Sequence, residues 1–169
     1  MKVTVPADGK PMSKDRAPHP IFSDLRARKA VGCYGIDRKE IVRIAFKGQA
    51  TPWLGIIPPG TLDSVDVTHL CPYDPARAKA LLAEAGYGPQ KPLTFELMTS
   101  TEKSVFHVIG TVIKEQMSRI GVTTNIRIVD KVSWMNVATQ DGPFDMYVED
   151  LASLMVVDQN VYLSGSTAG

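Results

Sequence analysis

The stretch Tyr73-Asp-Pro-Ala-Arg-Ala-Lys-Ala-Leu-Leu-Ala-Glu-Ala-Gly-Tyr-Gly88 predicts a helix with a defined start and a defined end. Asp74 can cap the N-terminus, and Pro75 suits the first turn because its missing N–H needs no partner there. Gly86 can adopt the left-handed conformation that ends a helix. The apolar side chains recur at the spacing of one helical face: Ala78, Leu81, Leu82 and Ala85. Many soluble proteins contain such a helix, so its context decides what it indicates.

A strand and a long helix are predicted after this stretch. Apolar and polar residues alternate along Leu93–Leu97, which is the period of a strand. Residues 102–120 then place their apolar side chains within about half of a helical circumference. These side chains are Val105, Phe106, Val108, Ile109, Val112, Ile113, Met117 and Ile120. Gln116 is the polar exception on that face, and Gly121 ends the helix.

Two further strands are predicted, separated by a short helix. Thr124–Val129 reads as a strand with Ile126 and Ile128 on one face, and Asp130 can cap a helix that runs to about Thr139. Asp141-Gly142 predicts a turn, and Phe144, Met146 and Val148 predict the third strand. The order strand–helix–strand–helix–strand indicates an α/β fold with a mainly parallel sheet and flanking helices.

One face of each predicted strand is polar. Its residues are Thr94 and Glu96, then Asn125 and Arg127, then Asp145, Tyr147 and Glu149. Parallel strands that are covered on both faces usually read as continuous apolar runs. Two interpretations stay open: this face is thinly covered, or it meets something that the chain does not contain.

The first half of the chain predicts two helices between irregular segments. Ser23 can cap the first helix, which is expected to bury Leu25, Val31 and Tyr34. Asp37 and Glu40 have capping-box spacing for the second helix, which is expected to point Ile41, Ile44 and Phe46 inward and to stop at Gly48. Proline and glycine are frequent in residues 1–21 and 49–72, which predicts an irregular arm and a surface loop.

Composition and motifs argue against several classes of protein. The 169 residues suffice for one domain with a core, and 19 basic against 18 acidic residues give no overall attraction to nucleic acid. No run of about 18 apolar residues predicts a membrane span. His19, His69 and His107 are scattered, and no H-E-x-x-H, C-x-x-C, G-x-S-x-G or phosphate-loop pattern occurs. We therefore predict no metal site, no cofactor and no enzymatic activity.

The carboxyl ends of the predicted strands form a candidate binding rim. In open parallel sheets, ligands meet this edge, where loops lead into helix N-termini. Three segments make up the rim: Thr99, Ser100 and Thr101; Asp130 to Trp134, with Lys131; and Glu149 to Ser153, with Asp150 and Leu151. The hydroxyls can donate hydrogen bonds to a ligand or cap their helix, and Trp134 can stack on a ligand or belong to the core.

Several motifs in a fixed order resemble the bacterial extracellular solute-binding proteins of family 5, the dipeptide, oligopeptide and nickel receptors of ABC importers. Upstream of the helix at 73–88 stand Phe22-Ser-Asp-Leu-Arg-Ala-Arg-Lys-Ala-Val31, Gly35-Ile-Asp-Arg-Lys-Glu-Ile41 and Ile57-Pro-Pro-Gly60. Downstream stand Ile120-Gly-Val122 and Phe144-Asp-Met146. The resemblance runs from Pro20 to Leu163. It implies a type II periplasmic-binding-protein fold, of which this chain is a single lobe, the second of two.

The resemblance also implies a division of the chain and a function. We expect an arm at 1–21, the solute-binding lobe at 22–152, and a return segment toward the missing first lobe at 153–169. The implied function is non-covalent capture of a small solute, such as a peptide, for an ABC permease in the membrane. The alternatives are a self-sufficient binding or oligomerising α/β domain without a transport role, and a hydrolase or transferase on the same fold.

The resemblance implies a location outside the cytoplasm, periplasmic or extracellular and membrane-associated. The first residues lack the apolar core of a secretory signal, so we expect the chain to start downstream of its natural signal. Cys33 and Cys71 allow one disulfide, which the implied oxidising compartment permits. By the chain-entropy model, a loop of roughly 40 residues is stabilised by about 4 kcal/mol. The alternative is two unrelated thiols, with Cys33 buried in a helix.

The third rim segment departs from the peptide-binding members that the chain resembles. Those members often carry a Gly-Trp pair after the last strand and an Asp shortly beyond it, which holds the amino terminus of a peptide. Asp150-Leu151 and Leu154 occupy the matching positions here, and Lys131 stands where an aromatic residue is common. Loss of an aromatic platform and of a carboxylate argues against capture of a peptide by its amino terminus.

Overall fold

Three parallel strands form the centre of the protein. A computed structural model describes residues 19–54, 59–60, 64–139 and 145–148. Within them β1 (Thr94–Ser100) lies between β2 (Thr123–Val129) and β3 (Met146–Val148). Leu97 of β1 is in register with Ile126 on one side and Met146 on the other. The predicted α/β class with a parallel sheet is confirmed, whereas Phe144 and the predicted turn at 141–142 lie outside the described residues.

Helices flank this sheet. The first, α1 (Leu25–Arg28), continues directly into a π-helical turn at Lys29–Tyr34. The remaining helices are α2 (Arg38–Ala45), α3 (Pro75–Glu84), α4 (Ser104–Arg119) and α5 (Lys131–Thr139), and Thr68–Leu70 forms a 3₁₀ turn. The strand–helix–strand–helix–strand order of the second half is the predicted one.

The core lies on the side of the sheet that α4 covers. Its centre consists of side chains from β1, α4 and the segments that flank them: Leu93, Phe95, Leu97, Ile113, Met117, Ile120 and Val122. Gly110 brings α4 close to the strand, because a Cβ at this position would lie 3.0 Å from Thr99 Cγ2. A second part of the same core joins α1 and α3 through Ala27, Ala30, Val31, Ala78 and Leu82.

The helix predicted at 74–85 is confirmed in its capping and in its buried face. Asp74 accepts a hydrogen bond from the backbone N–H of Arg77 (2.9 Å), and Pro75 is the first helical residue. Gly86 adopts φ +85°, the left-handed conformation expected after the last turn. Ala78 and Leu82 are buried, so this helix contributes the face that its spacing predicts.

Two details of α1 differ from the prediction. Asp24, rather than Ser23, caps the helix by accepting from the backbone N–H of Arg26 (2.8 Å). Because the helix starts one residue later, Leu25 turns outward and is 53% exposed, while Ala27 takes the inward position. Val31 is buried as predicted.

The burial predicted for α2 and α4 is partly wrong. Ile44 and Phe46 are 42% and 38% exposed, because the described neighbour of α2 is α4, which covers only one side of so short a helix. Val108 lies at the edge of the α4 face and is 37% exposed. Gln116, the polar exception, is fully buried.

The polar face of the sheet is partly covered, which favours the first of the two interpretations. Met98 and Ser100 on this face are buried, in the half of the sheet nearest α5. In the other half, Arg127 Nη1 lies 3.2 Å from Glu96 Oε1, and both side chains are more than one-third exposed. In this half the ion pair lies on the polar face and stays partly open to solvent.

Candidate functional site

The first two segments of the predicted rim meet at the carboxyl edge of the sheet. The loop after β1 carries Thr101, whose backbone N–H donates to the carbonyl of Val129 at the end of β2 (2.9 Å). Lys131 begins α5 immediately beyond. The third segment, with Glu149, Asp150 and Leu151, lies outside the described residues, as does Leu154.

The three hydroxyl residues of the rim differ in accessibility. Thr99 and Ser100 are 0% and 2% exposed, and Thr101 is exposed. Thr99 lies against α4 near Gly110, and Ser100 is on the opposite face of the strand. Neither Thr99 Oγ1 nor Ser100 Oγ has a hydrogen-bond partner among the described residues. A buried hydroxyl without a partner is energetically unfavourable, so these two oxygens mark a polar strand end that the described residues leave unsatisfied.

Trp134 is part of the packing between α5 and the sheet. It is 7% exposed, and its ring contacts that of Tyr147 edge to face, with centroids 5.4 Å apart. Its indole Nε1 is buried without a hydrogen-bond partner among the described residues. The ring is therefore packed between α5 and the sheet, and its faces are not open for stacking on a ligand.

Lys131 links the two rim loops. Its Nζ lies 2.6 Å from Glu102 Oε2, in the loop between β1 and α4, and 4.9 Å from the ring centroid of Trp134. Both partners of the ion pair are more than one-third exposed, so the pair contributes little to stability. The ion pair fixes the position of the Lys131 ammonium group, which lies over the Trp134 ring at the edge of the rim.

The helix termini at the rim are capped unequally. Asp130 caps α5 by accepting from the hydroxyl (2.6 Å) and backbone N–H (2.9 Å) of Ser133, and these hydrogen bonds lower the pKa of Asp130. Lys103 at the start of α4 makes no capping hydrogen bond through its side chain, and the first turn of α4 has no acidic residue. The positive end of α4 therefore lacks an anionic partner from its own first turn. The absence of a capping residue before Ser104 is visible in the sequence, but its position at the rim is not.

One groove in the described part of the chain lies away from this rim. It has a volume of about 480 Å³ and runs between α2, α4 and β2. Its walls include Ile44, Val112, Ile126 and the charged residues Glu40 and Arg119. The groove is open and shares no residue with the predicted rim, so it does not define the candidate site.

Cys33 and Cys71 form a disulfide. Their Cα atoms are 4.6 Å apart, and the bond joins the π-helical turn to the segment that precedes α3. No group of three His, Cys, Asp or Glu side chains that could hold a metal occurs in the described ranges. No helix in the same ranges has the length and apolar character of a membrane span.

A family profile matches almost the whole chain. The profile of bacterial extracellular solute-binding proteins, family 5, middle region, covers residues 8–168. The chain belongs to this family. The resemblance predicted from the spaced motifs is therefore confirmed, and the family consists of solute-binding proteins of transport systems rather than of enzymes.

Two curated relatives have names that state a ligand. Di/tripeptide-binding protein 2 of Pseudomonas aeruginosa is 34% identical over 131 residues, which are 76% of this chain and 24% of that protein. The glutathione-binding protein GsiB of Salmonella typhimurium is 35% identical over 109 residues, which are 64% of this chain and 20% of that protein. The chain thus spans between a fifth and a quarter of the length of these two relatives.

Solved structures of longer proteins contain the same fold. The oligopeptide-binding protein AppA of Bacillus subtilis, in complex with a nonapeptide, superimposes with a TM-score of 0.68 at 24% identity. The match covers 83% of this chain and 30% of that protein. This similarity supports the type II periplasmic-binding-protein fold predicted from the sequence.

Proposed function

We propose that this chain forms one lobe of a receptor that captures a small solute and delivers it to the permease of an ABC importer. The observation that carries the proposal is the unsatisfied polar end of β1, beside a helix N-terminus without an acidic cap, in a family of solute-binding proteins. Capture is non-covalent. Peptides and short peptide derivatives are the proposed solutes, since two relatives are named for di- and tripeptides and for glutathione.

The rim suggests which part of a solute it holds. Thr101 offers an exposed hydroxyl, and the start of α4 offers backbone N–H groups in a positive field. Such groups bind carboxylates and carbonyl oxygens, and the Lys131 cation lies at the same edge. An ammonium group would compete with Lys131 for the carboxylate of Glu102 in this loop (2.6 Å), and the first turn of α4 has no acidic residue. We therefore propose that the carboxylate end of the solute, rather than the amino end, faces this lobe.

High affinity requires a second wall. Small-molecule sites bury most of the ligand surface, whereas the described rim is an edge with one exposed hydroxyl. We propose that a first lobe covers the solute from the opposite side and that closure is a hinge motion stabilised by contacts made only in the closed state. The boundaries 22–152 for the lobe and 153–169 for the return segment belong to this proposal.

The proposed location is periplasmic or extracellular. The family is one of extracellular proteins. The disulfide between Cys33 and Cys71 supports this location, because disulfides persist in oxidising compartments and are rare in the cytosol.

Chemical-shift mapping of the ¹⁵N-labelled chain tests the proposal. Titration with a tripeptide should shift the amides of Ser100, Thr101 and Lys131 and the indole N–H of Trp134, with a weak affinity that reflects one wall of a site. The same tripeptide with an amidated carboxyl terminus should produce smaller shifts. Shifts confined to the groove beside Ile44, or no shifts at millimolar peptide, would reject the rim as the solute site.

A matched pair of variants separates a site from a general charge effect. Lys131→Gln should weaken the rim shifts, whereas Lys79→Gln on the exposed side of α3 should leave them unchanged. If both variants weaken the shifts equally, the peptide responds to the net charge of the protein and not to Lys131 at the rim.

A further inference from the structure

His19 holds two distant parts of the chain together through both nitrogens of its ring. Nδ1 accepts hydrogen bonds from the backbone N–H groups of Ile21 (3.1 Å) and Phe22 (2.9 Å). Nε2 lies 3.0 Å from Oδ1 of Asp145, the residue before β3. The imidazole thus joins the turn that leads into α1 to the start of β3, 126 residues away.

Asp145 continues this connection into the sheet. Its second oxygen, Oδ2, accepts the backbone N–H of Glu96 on β1 (2.7 Å). In the described residues β3 pairs with β1 only through Met146–Val148. The Asp145 carboxylate therefore adds one hydrogen bond to a short ladder, at the end where the strand begins.

The two backbone donors determine where the ring carries its proton. An N–H group can only donate to a nitrogen with a free lone pair, so Nδ1 is unprotonated and Nε2–H donates to Asp145. A second proton can bind only at Nδ1. It would turn this acceptor into a donor that faces the N–H groups of Ile21 and Phe22, while the bond to Asp145 remains.

We propose that His19 is a proton-controlled latch for the segment that enters α1. In the neutral ring the latch is closed; in the doubly protonated ring Ile21 and Phe22 are released and Asp145 stays bound. The latch is separate from the solute site, since its residues lie at the start of β3 rather than at the carboxyl edge.

The other charged groups near the His19 ring have partners of their own. The carboxylate of Glu96 pairs with Arg127 (3.2 Å) rather than with the imidazole. The guanidinium of Arg28 donates to the carbonyls of Phe22 and Ser23, so the turn stays anchored to α1 on its other side. Asp145 is therefore the one carboxylate in direct contact with the ring among the described residues.

Water-exchange NMR on the full chain tests the latch. Protection of the amides of Ile21 and Phe22, corrected for intrinsic exchange, should fall about tenfold between roughly pH 7.5 and pH 5, as expected for the loss of hydrogen bonds of ordinary strength. Protection of Glu96 should not change over the same range. Imidazole ¹⁵N shifts at the higher pH should show the proton of His19 on Nε2.

Two variants make the result specific. The side-chain carbonyl of Asn can accept the same N–H groups but takes no proton, so His19→Asn should remove the pH response of Ile21 and Phe22. His107→Asn, at an exposed position on α4, should retain it. A proton on Nδ1 at neutral pH, or equal protection of Ile21 and Phe22 at both pH values in the unaltered chain, would overturn the proposal even if a variant does not fold.

Discussion

The side-chain amide of Gln116 hydrogen-bonds both backbone groups of Asp37, the residue that caps α2. Its Oε1 accepts the backbone N–H of Asp37, and its Nε2 donates to the carbonyl of the same residue, both at 3.1 Å. Nε2 also donates to Glu40 Oε2 at 2.8 Å. A fully buried glutamine on the apolar face of α4 is therefore the attachment point of α2.

Removal of this amide should destabilise the protein. Gln116→Ala leaves the N–H of Asp37 without its partner in a partly buried setting, whereas the Asp37 carbonyl still accepts the N–H of Ile41 (3.2 Å). The loss of one satisfied group costs about 1–3 kcal/mol. Urea denaturation should show a lower free energy of unfolding for this variant. Gln49→Ala at an exposed position is the control and should lie within about 0.5 kcal/mol of the parent protein. An unchanged midpoint for Gln116→Ala would contradict the assigned role.

Gly35 should not tolerate a side chain. A Cβ at this position would lie 2.7 Å from the carbonyl oxygen of Ala30, 2.9 Å from Ile120 Cδ1 and 3.0 Å from Met117 Cε. Since one of these atoms is backbone and the others are core, Gly35→Ala should lower stability by about 1–3 kcal/mol, the range for overpacking.

Gly32 provides the matched control, because a Cβ there would meet nothing within 4 Å. Gly32→Ala should be neutral or slightly stabilising through the reduced entropy of the unfolded chain. Thermal melting of both variants checks the pair. Equal loss of stability would mean that the π-helical turn, rather than the close contact, limits substitution.

Reduction of the disulfide should destabilise the fold. Cys33 and Cys71 are separated by 38 residues, and closure of a loop of this size restricts the unfolded chain by about 4 kcal/mol in the entropy model. Urea midpoints with and without dithiothreitol measure the effect. A Cys33→Ser, Cys71→Ser double variant should match the reduced protein and be insensitive to the reductant. A parent midpoint that dithiothreitol leaves unchanged would contradict a stabilising bridge.

Stability should fall in acid in part through Glu40. The guanidinium of Arg119 and the amide of Gln116 donate to its carboxylate, and these hydrogen bonds lower the pKa of Glu40 in the folded state. A group with a lowered folded pKa contributes stability above its unfolded pKa, and this contribution is lost as the pH falls toward the folded value. The loss therefore occurs below pH 4.5, the ordinary pKa of a glutamate carboxyl.

Glu40→Gln should make the urea midpoint less dependent on pH below pH 4.5, because the glutamine side chain does not ionise. Glu115→Gln, an exposed position on α4, should leave the slope as it is in the parent protein. If the parent protein and both variants have the same slope, the pKa of Glu40 does not differ between the folded and the unfolded state.

Local features of the chain were predictable where they depend on neighbours in sequence. The caps at Asp37, Asp74 and Asp130, and the left-handed Gly86, follow from residue type and position, and the structure has each of them. The parallel order of the strands follows from alternation of strand and helix. Predictions of burial failed at the ends and edges of helices, as at Leu25, because a shift of one residue turns a side chain by about 100° around the helix axis.

The α/β class, the order of the elements and membership of a solute-binding family could be predicted from short segments of the chain, because periodicity, capping and spaced motifs are local properties. Tertiary structure alone decided the contacts of Gln116 with Asp37 and of His19 with Asp145. It also decided that Trp134 is packed rather than open at the rim. These relationships join residues from distant parts of the chain or depend on which face the sheet offers to α5. A polar or aromatic side chain acquires its role from the groups around it, and only the folded chain brings those groups together.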